Sequence, residues 1–326
     1  MLSRVADSVY WMSAYLERAE NVARFIDTNL NLLLDVGESV EEQWQPLINT
    51  TGDYDAFAHK YGAATRESVF QFLIFDRENP NSILSCLRAA RENARMIREI
   101  IPSVMWEEAN RFYLLVRNQA RQNSLDDACR ILERVKRSVQ VIVGISESAM
   151  SRGEAWHFAR MGRLLERADK TSRILDVKYF LLLPTAAEVS TPVDVIQWSS
   201  LLKSASALEM YRKARGRITP LAVADFLILD RDFPRSMHFC LIEAEASLHA
   251  ITGSASGTFQ NDAEQQLGRL RSEFDFVHVH DIIQEGLHEF VDRFQQRLNL
   301  VGQAITDTFF AVRPMPGPAY QEAAQQ

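Results

Sequence analysis

Leu16-Glu-Arg-Ala-Glu-Asn-Val-Ala-Arg24 returns 149 residues later as Leu165-Glu-Arg-Ala-Asp-Lys-Thr-Ser-Arg173. A second stretch, Phe72-Leu-Ile-Phe-Asp-Arg-Glu-Asn-Pro80, returns 154 residues later as Phe226-Leu-Ile-Leu-Asp-Arg-Asp-Phe-Pro234. The 154-residue offset also relates Trp44 to Trp198, Thr65 to Thr219 and Cys86 to Cys240. Two landmarks in the same order at nearly constant spacing predict an internal duplication, which must be recognised before a fold is assigned. The expected organisation is a first helical repeat over 1–150, a second over 151–312 and a loose polar tail over 313–326. The halves should pack as one all-α, long-helix bundle with a pseudo-two-fold axis, joined by a linker from Pro184 to Pro192.

The repeated unit reads as helix throughout. Val5, Val9, Met12, Leu16, Ala19, Ala23, Ile26, Leu30 and Leu33 step by threes and fours, the apolar seam of one long, bundle-packed helix. Its counterpart runs from about Glu154 to Leu183, stopping before Pro184. Thr65 and Thr219-Pro220 are helix starts, a capping Thr with Pro in the first turn of the second. Asn79-Pro80 and Pro234 are read as opening the next helices, and Ser124-Leu-Asp-Asp127 as a capping box for a helix reaching about Ala149. After Gly257 the pattern predicts two more helices, the last ending before Pro314. No segment alternates with period two for long enough to predict a strand.

On a helical wheel with the seam of the first helix near ~120°, Glu17, Glu20 and Arg24 fall at roughly 200–260°, on its polar border. Arg18 falls near ~0°, among Trp11, Val22 and Phe25. The second copy repeats this: Glu166, Asp169 and Arg173 share one border, and Arg167 lies on the side of Trp156 and Ile174. An arginine aimed into an apolar sector needs a carboxylate or an anionic ligand, since a buried unpaired charge costs several kcal/mol. Asp76-Arg77 and Asp230-Arg231 are the natural candidates to complete the arrangement. In one reading Asp caps the next helix while Arg pairs with the Glu of the first helix. In the other, these groups line a polar pocket or docking groove between helices.

Other chemistry-bearing residues point less far. Glu154-x-x-His157 and Glu285-x-x-His288 have the spacing of di-iron bundles, but they sit at non-equivalent places in the repeat and lack assignable bridging carboxylates, so no metal site is assigned. His278 and His280 would diverge on a helix, which suits solvated or capping roles. Cys86 and Cys240 occupy equivalent apolar positions and read as core residues. With Cys129 they are too few and scattered for a disulfide framework or zinc knuckle. The chain has no phosphate-cradling Gly-rich loop, His-Glu-x-x-His, Cys-x-x-Cys or nucleophile elbow, so no cofactor is implied.

Composition agrees with a helical globular protein. Of 326 residues 47% are hydrophobic and 24% charged, with only 13 Gly and 10 Pro to punctuate them. The net charge of −7, without a basic run, argues against nucleic acid as partner. Arg outnumbers Lys thirty to six, which either favours bidentate pairing or reflects genomic base composition. No stretch approaches the ~20 apolar residues that span a bilayer, and Met1-Leu-Ser-Arg-Val-Ala-Asp lacks the features of a signal peptide. The expected location is a reducing cytoplasm.

The opening Met1-Leu-Ser-Arg-Val-Ala, with Tyr10-Trp11-Met12 and Tyr15-Leu16-Glu17-Arg18-Ala19-Glu20, resembles the bacterial alpha-E family, a helical domain of unknown function named for its Glu-Arg motif. The likeness reaches to about Val312 and includes the second motif at Glu166-Arg167. What the resemblance implies is context: members are encoded beside, or fused to, a circularly permuted ATP-grasp ligase, an enzyme class that joins a carboxylate to an amine through an acyl-phosphate. It implies an accessory or substrate-presenting partner of such a ligase, with a peptide or small anionic molecule as the thing presented. An enzyme of amide metabolism using its own Glu, Asp and Arg side chains is the alternative, and a metal-binding bundle a third.

Overall fold

The computed structural model describes residues 1–36, 44–122, 128–181 and 192–311. All regular structure among them is helical. The elements are α1 (Ser3–Val36), α2 (Gln45–Thr51), α3 (Tyr54–Tyr61), α4 (Arg66–Phe70), α5 (Ile83–Met96), α6 (Ser103–Gln122), α7 (Ala128–Ala149), α8 (Glu154–Leu181), α9 (Pro192–Ser204), α10 (Leu208–Arg215), α11 (Pro220–Leu229), α12 (Met237–Thr252), α13 (Asp262–Phe276), α14 (Val279–Glu285) and α15 (Leu287–Ile305). Wide π-helical turns extend α4 over Gln71–Phe75 and α15 over Thr306–Phe310.

The two longest helices, α1 and α8, lie side by side and point the same way. Tyr10 sits beside Gly162, and further along both helices Glu17 meets Arg167. The approach at Gly162 is so close that a Cβ there would stand 2.4 Å from the Tyr10 carbonyl oxygen, so only glycine fits without displacement. α1 also packs on α5 and α7, which α6 bridges; α8 packs on α12 and α15, which α13 bridges. The chain crosses over at the helix ends: α2 lies on α8 and α9 lies on α1. One continuous apolar core runs through the whole, including Met12, Ile26, Phe72, Trp44, Trp198 and Tyr211.

The local signals explain most boundaries. Thr65 caps α4 by accepting from Ser68 N, and Thr219 caps α11 by accepting from Ala222 N with Pro220 in the first turn, as the sequence predicts. The prolines before α5 and α12 do not open those helices. Ser82 and Ser236 are the caps, accepting from Ser85 N and Phe239 N, because a hydroxyl satisfies a terminal N–H and Pro cannot. Three helices, not two, follow Gly257, since Gly286 at φ +113 separates α14 from α15. The Ser124–Asp127 box, the 184–191 part of the linker and the tail over 313–326 lie outside the described residues.

Candidate functional site

Along the seam between α1 and α8 the charged borders of both helices face inward and form two ion clusters. The first centres on Glu17, which has no exposed surface. Arg167 of α8 grips it in bidentate fashion, Nε to Oε1 at 2.9 Å and Nη2 to Oε2 at 2.8 Å. Arg235, from the turn before α12, donates Nη1 to Glu17 Oε1 at 3.1 Å and Nη2 to Glu20 Oε1 at 2.9 Å. Asn21 adds a bond to Glu17 Oε1 at 3.0 Å. Arg24 closes on Glu20 through Nε at 3.0 Å and donates Nη1 to Ser206 Oγ. The residual donor of Arg167, Nη1, goes to the Pro234 carbonyl at 3.2 Å.

The second cluster centres on Glu166. Arg18 of α1 grips it with Nε at 2.7 Å and Nη2 at 2.8 Å. Lys170 lies 3.2 Å from Glu166 Oε1 and donates to Asp169 Oδ2 at 2.7 Å. Arg173 donates Nε to Asp169 Oδ2 at 2.9 Å. The remaining donor of Arg18, Nη1, goes to Asn81 Oδ1 at 2.9 Å, and Asn81 in turn donates to both oxygens of Asp53. Each Glu-Arg dipeptide therefore gives its arginine to the glutamate of the other, across the helix pair.

The electrostatics fix the protonation states. Burial pushes the Glu17 carboxyl up, but Arg167 and Arg235 outweigh it and hold it well below the usual carboxylate range. Burial opposes ionisation at Glu166 and Asp169 too; Lys170 with Arg18, and Lys170 with Arg173, win and hold both low. Burial pulls Arg18 and Arg167 down, while Glu166 and Glu17 raise them by more. At Arg235 burial prevails and its proton is held less tightly than usual, despite the help of Glu17. A carboxylate so fully bonded and so low in pKa makes a poor general base near neutral pH. Chemically the two clusters are suited to clamping helices together.

The Asp-Arg pairs are placed elsewhere, which corrects the expectation that they complete these clusters. Asp76 is buried and accepts from Lys60 Nζ at 3.0 Å to both oxygens, from Tyr61 OH at 3.0 Å and from Glu78 N at 3.0 Å. Burial, together with its bond to Asp76, pushes the Tyr61 phenol up to about 12. These groups, with Gln71, Phe75 and Arg77, line an open cleft of about 470 Å³. Arg77 is exposed and makes no ion pair with the described residues. Asp230 accepts from Asp232 N and Phe233 N, and Arg231 pairs with Asp275. Neither Asp caps the helix that follows; each sits at the C-terminal end of the preceding helical segment and turns the chain toward Ser82 or Ser236.

Arg235 and Asn81 are the residues that the sequence reading misses. Each follows its repeated Pro directly, and the 154-residue offset pairs them. The signal available was position, because a turn that feeds a helix packed on α1 or α8 ends at that point. The Glu-x-x-His pairs are dispersed: Glu285 pairs with Arg293, His288 with Asp176, and Glu154 is exposed. Among the described residues no three His, Cys, Asp or Glu side chains converge as metal ligands. Cys86 and Cys240 are fully buried, and burial pushes both thiols up to about 12.

Residues 1–310 match Alpha-E, described as a predicted alpha-helical domain with a conserved ER motif; Glu17-Arg18 and Glu166-Arg167 are the two such dipeptides at the clusters. Similar chains include an uncharacterized protein of Mycobacterium bovis and uncharacterized proteins from two strains of Mycobacterium tuberculosis. Each is 22% identical over 343 aligned residues that take in 97% of this chain. The match spans only 38% of each relative's length. No solved structure matches. No helix among the described residues is long and apolar enough to cross a membrane.

Proposed function

Since the chain belongs to the alpha-E family, we propose that it is a non-catalytic helical accessory protein, the cytoplasmic partner of an ATP-grasp-type amide or peptide ligase. The observation that carries the partner reading is that the relatives hold the matching stretch inside much longer chains, of which it makes up 38%. In them the helical unit is covalently tied to other polypeptide, which keeps the two at high effective concentration. The ligase as the particular partner rests on what the family resemblance implies.

The clusters, in this reading, hold together two tandem copies of one helical unit, 1–150 and 151–312, related by a pseudo-two-fold axis. What supports the duplication is the reciprocal exchange of arginines at Glu17 and Glu166 and the crossing of α2 onto α8 and of α9 onto α1. Co-expression with the neighbouring ligase followed by size-exclusion chromatography tests the proposal. Co-elution as a stable complex is expected; a chain that elutes alone and shows no affinity for the ligase in a direct titration overturns it.

A second reading, an enzyme of amide metabolism, is favoured by one observation: the Asp76 carboxylate, with Lys60 and Tyr61 bonded to it, faces an open cleft. Folded Asp76→Asn and Glu17→Gln variants that leave pathway output unchanged would remove it.

A further inference from the structure

The face made by α5 and α6 carries arginines that the fold does not use for ion pairing. Trp106 and Tyr113 stand two turns apart on α6, and each has two guanidiniums over its ring. Arg91 and Arg98 lie 5.6 and 5.1 Å from the Trp106 centroid, and Arg91 and Arg117 lie 5.4 and 5.6 Å from that of Tyr113. Arg91 is also engaged sideways, with Asn110 and Glu92. Arg88, Arg98 and Arg117 have no carboxylate partner among the described residues, and the buried Arg117 Nε has no acceptor at all. A guanidinium resting on an aromatic ring keeps its in-plane N–H groups free, a geometry suited to receiving carboxylate.

The helix does not need these arginines in order to pack. At the 154-residue offset, Arg88, Arg91, Arg95 and Arg98 become Ile242, Glu245, His249 and Thr252. Yet α12 packs against α8 and α13 much as α5 packs against α1 and α6. The α5 row is thus a feature of one half only. Arg117 has Arg271 at the same offset, but there the arginine is paired with Glu245 and Asp275. Arginines left without carboxylates therefore occur on the α5–α6 face, as expected of a binding surface and not of a folding contact.

We infer that the α5–α6 face is a docking surface for an acidic segment of a partner protein, whose carboxylates are received by Arg88, Arg98 and Arg117. Charge complementarity selects this occupant. A nucleic acid would meet the field of a chain with net charge −7, which opposes a polyanion at long range, whereas a short acidic segment needs only the local patch. This inference rests on the partner reading above and names the surface and its chemistry.

The experiment uses the full chain and a fluorescein-labelled oligoglutamate peptide, read by anisotropy. The wild type is expected to bind, and Arg98→Glu/Arg117→Glu, shown to be folded by its helical circular dichroism, to bind at least about tenfold more weakly. The control Arg212→Glu/Lys213→Glu, on exposed residues of α10, should bind like wild type. Absence of binding overturns the inference, as does equal loss in the control, or tighter binding of a single-stranded oligonucleotide abolished by the same pair. Co-purification of the ligase separates the two levels. A complex that survives Arg98→Glu/Arg117→Glu leaves the partner reading standing and removes this surface. Peptide binding without any complex keeps the surface and removes the ligase.

Discussion

The Glu17 and Glu166 clusters are built on the same plan and filled differently. Each holds two carboxylates, one arginine reaching across the helix pair, one arginine from the same helix and a third cation. In the first cluster the third cation is Arg235, delivered by the turn before α12, and the residue on the long helix is neutral Asn21. In the second the cation is Lys170 on the long helix itself, and the turn supplies neutral Asn81. Position 21 corresponds to 170, and 81 to 235, by the two sequence offsets. Charge has changed places between turn and helix, while the total is the same in both. What the difference teaches is that the constraint acts on the balance of charge around a buried acid pair, and that either of two positions can meet it.

The comparison breaks most sharply if the central acids are neutralised. Glu17 is completely buried and Glu166 slightly less so. Glu17→Gln leaves Arg167 without its anion and Arg235 with Glu20 alone, at a position that has no exposed surface. A loss of about 3–5 kcal/mol in urea unfolding is expected for it, the usual cost of breaking a buried pair from one side. Glu166→Gln should cost less, because Arg18 is more exposed than Arg167, 20% against 13%, so water can solvate more of the freed guanidinium. Equal costs would mean that the two clusters are energetically interchangeable despite their different filling.

Moving the third cation sharpens it further. Arg235→Asn should destabilise by about 2–4 kcal/mol, somewhat less than loss of the central acid, since Arg167 still holds Glu17. Adding Asn21→Lys in the same chain should recover at least half of that loss, since it rebuilds the arrangement found at Glu166. The mirror pair, Lys170→Asn with Asn81→Arg, should behave in the same sense. A double-mutant cycle measures the coupling, and strict additivity of the two substitutions would sink the idea of compensation.

Acid should reveal both clusters together. The carboxyls of Glu17, Glu166 and Asp169 titrate below their ordinary values of 4.5, 4.5 and 3.8 in the folded chain. A depressed folded pKa contributes stability that is fully present above the unfolded value and is lost as pH falls toward the folded one. Stability should therefore fall steeply from about pH 4.5 downward, because the unfolded chain takes up protons first. In Glu17→Gln the slope should be shallower, and an unchanged slope would show that this carboxyl is not held low.

The sequence discloses part of this and hides the rest for a definite reason. A helical wheel gives the direction of Arg18 on its own helix, and the inward aim is visible from Trp11, Val22 and Phe25 alone. It says nothing of which helix lies opposite, and the acceptor, Glu166, is 148 positions away. Proximity in sequence to a repeated motif favours Asp76-Arg77, but Asp76 is claimed by Lys60 and Tyr61 of α3, whose placement depends on how α3 folds back. The helical class and the caps at Thr65 and Thr219 are local and legible; the caps at Ser82 and Ser236 lie only two residues from the misleading prolines. Gly162 is illegible in a single chain, because its need for a bare Cα arises from the carbonyl of Tyr10 on another helix.

The smallest expected effect concerns the turns that close the clusters at one end. Ser206 is the sole non-glycine residue with positive φ among the described residues, at 49°, where glycine is the usual occupant. The position 154 residues earlier is Gly52, at φ 77° beside Arg173. Ser206 repays its conformation through Oγ, which accepts from Arg24 Nη1. Ser206→Ala keeps the strain and loses the bond, so a loss of about 1 kcal/mol or more is expected. Ser206→Gly loses the bond and releases the strain, and should be close to neutral, since the strain is of order 1 kcal/mol. If alanine proves as stable as glycine at 206, the hydroxyl and the left-handed turn are unconnected, and the contrast with Gly52 carries no energetic meaning.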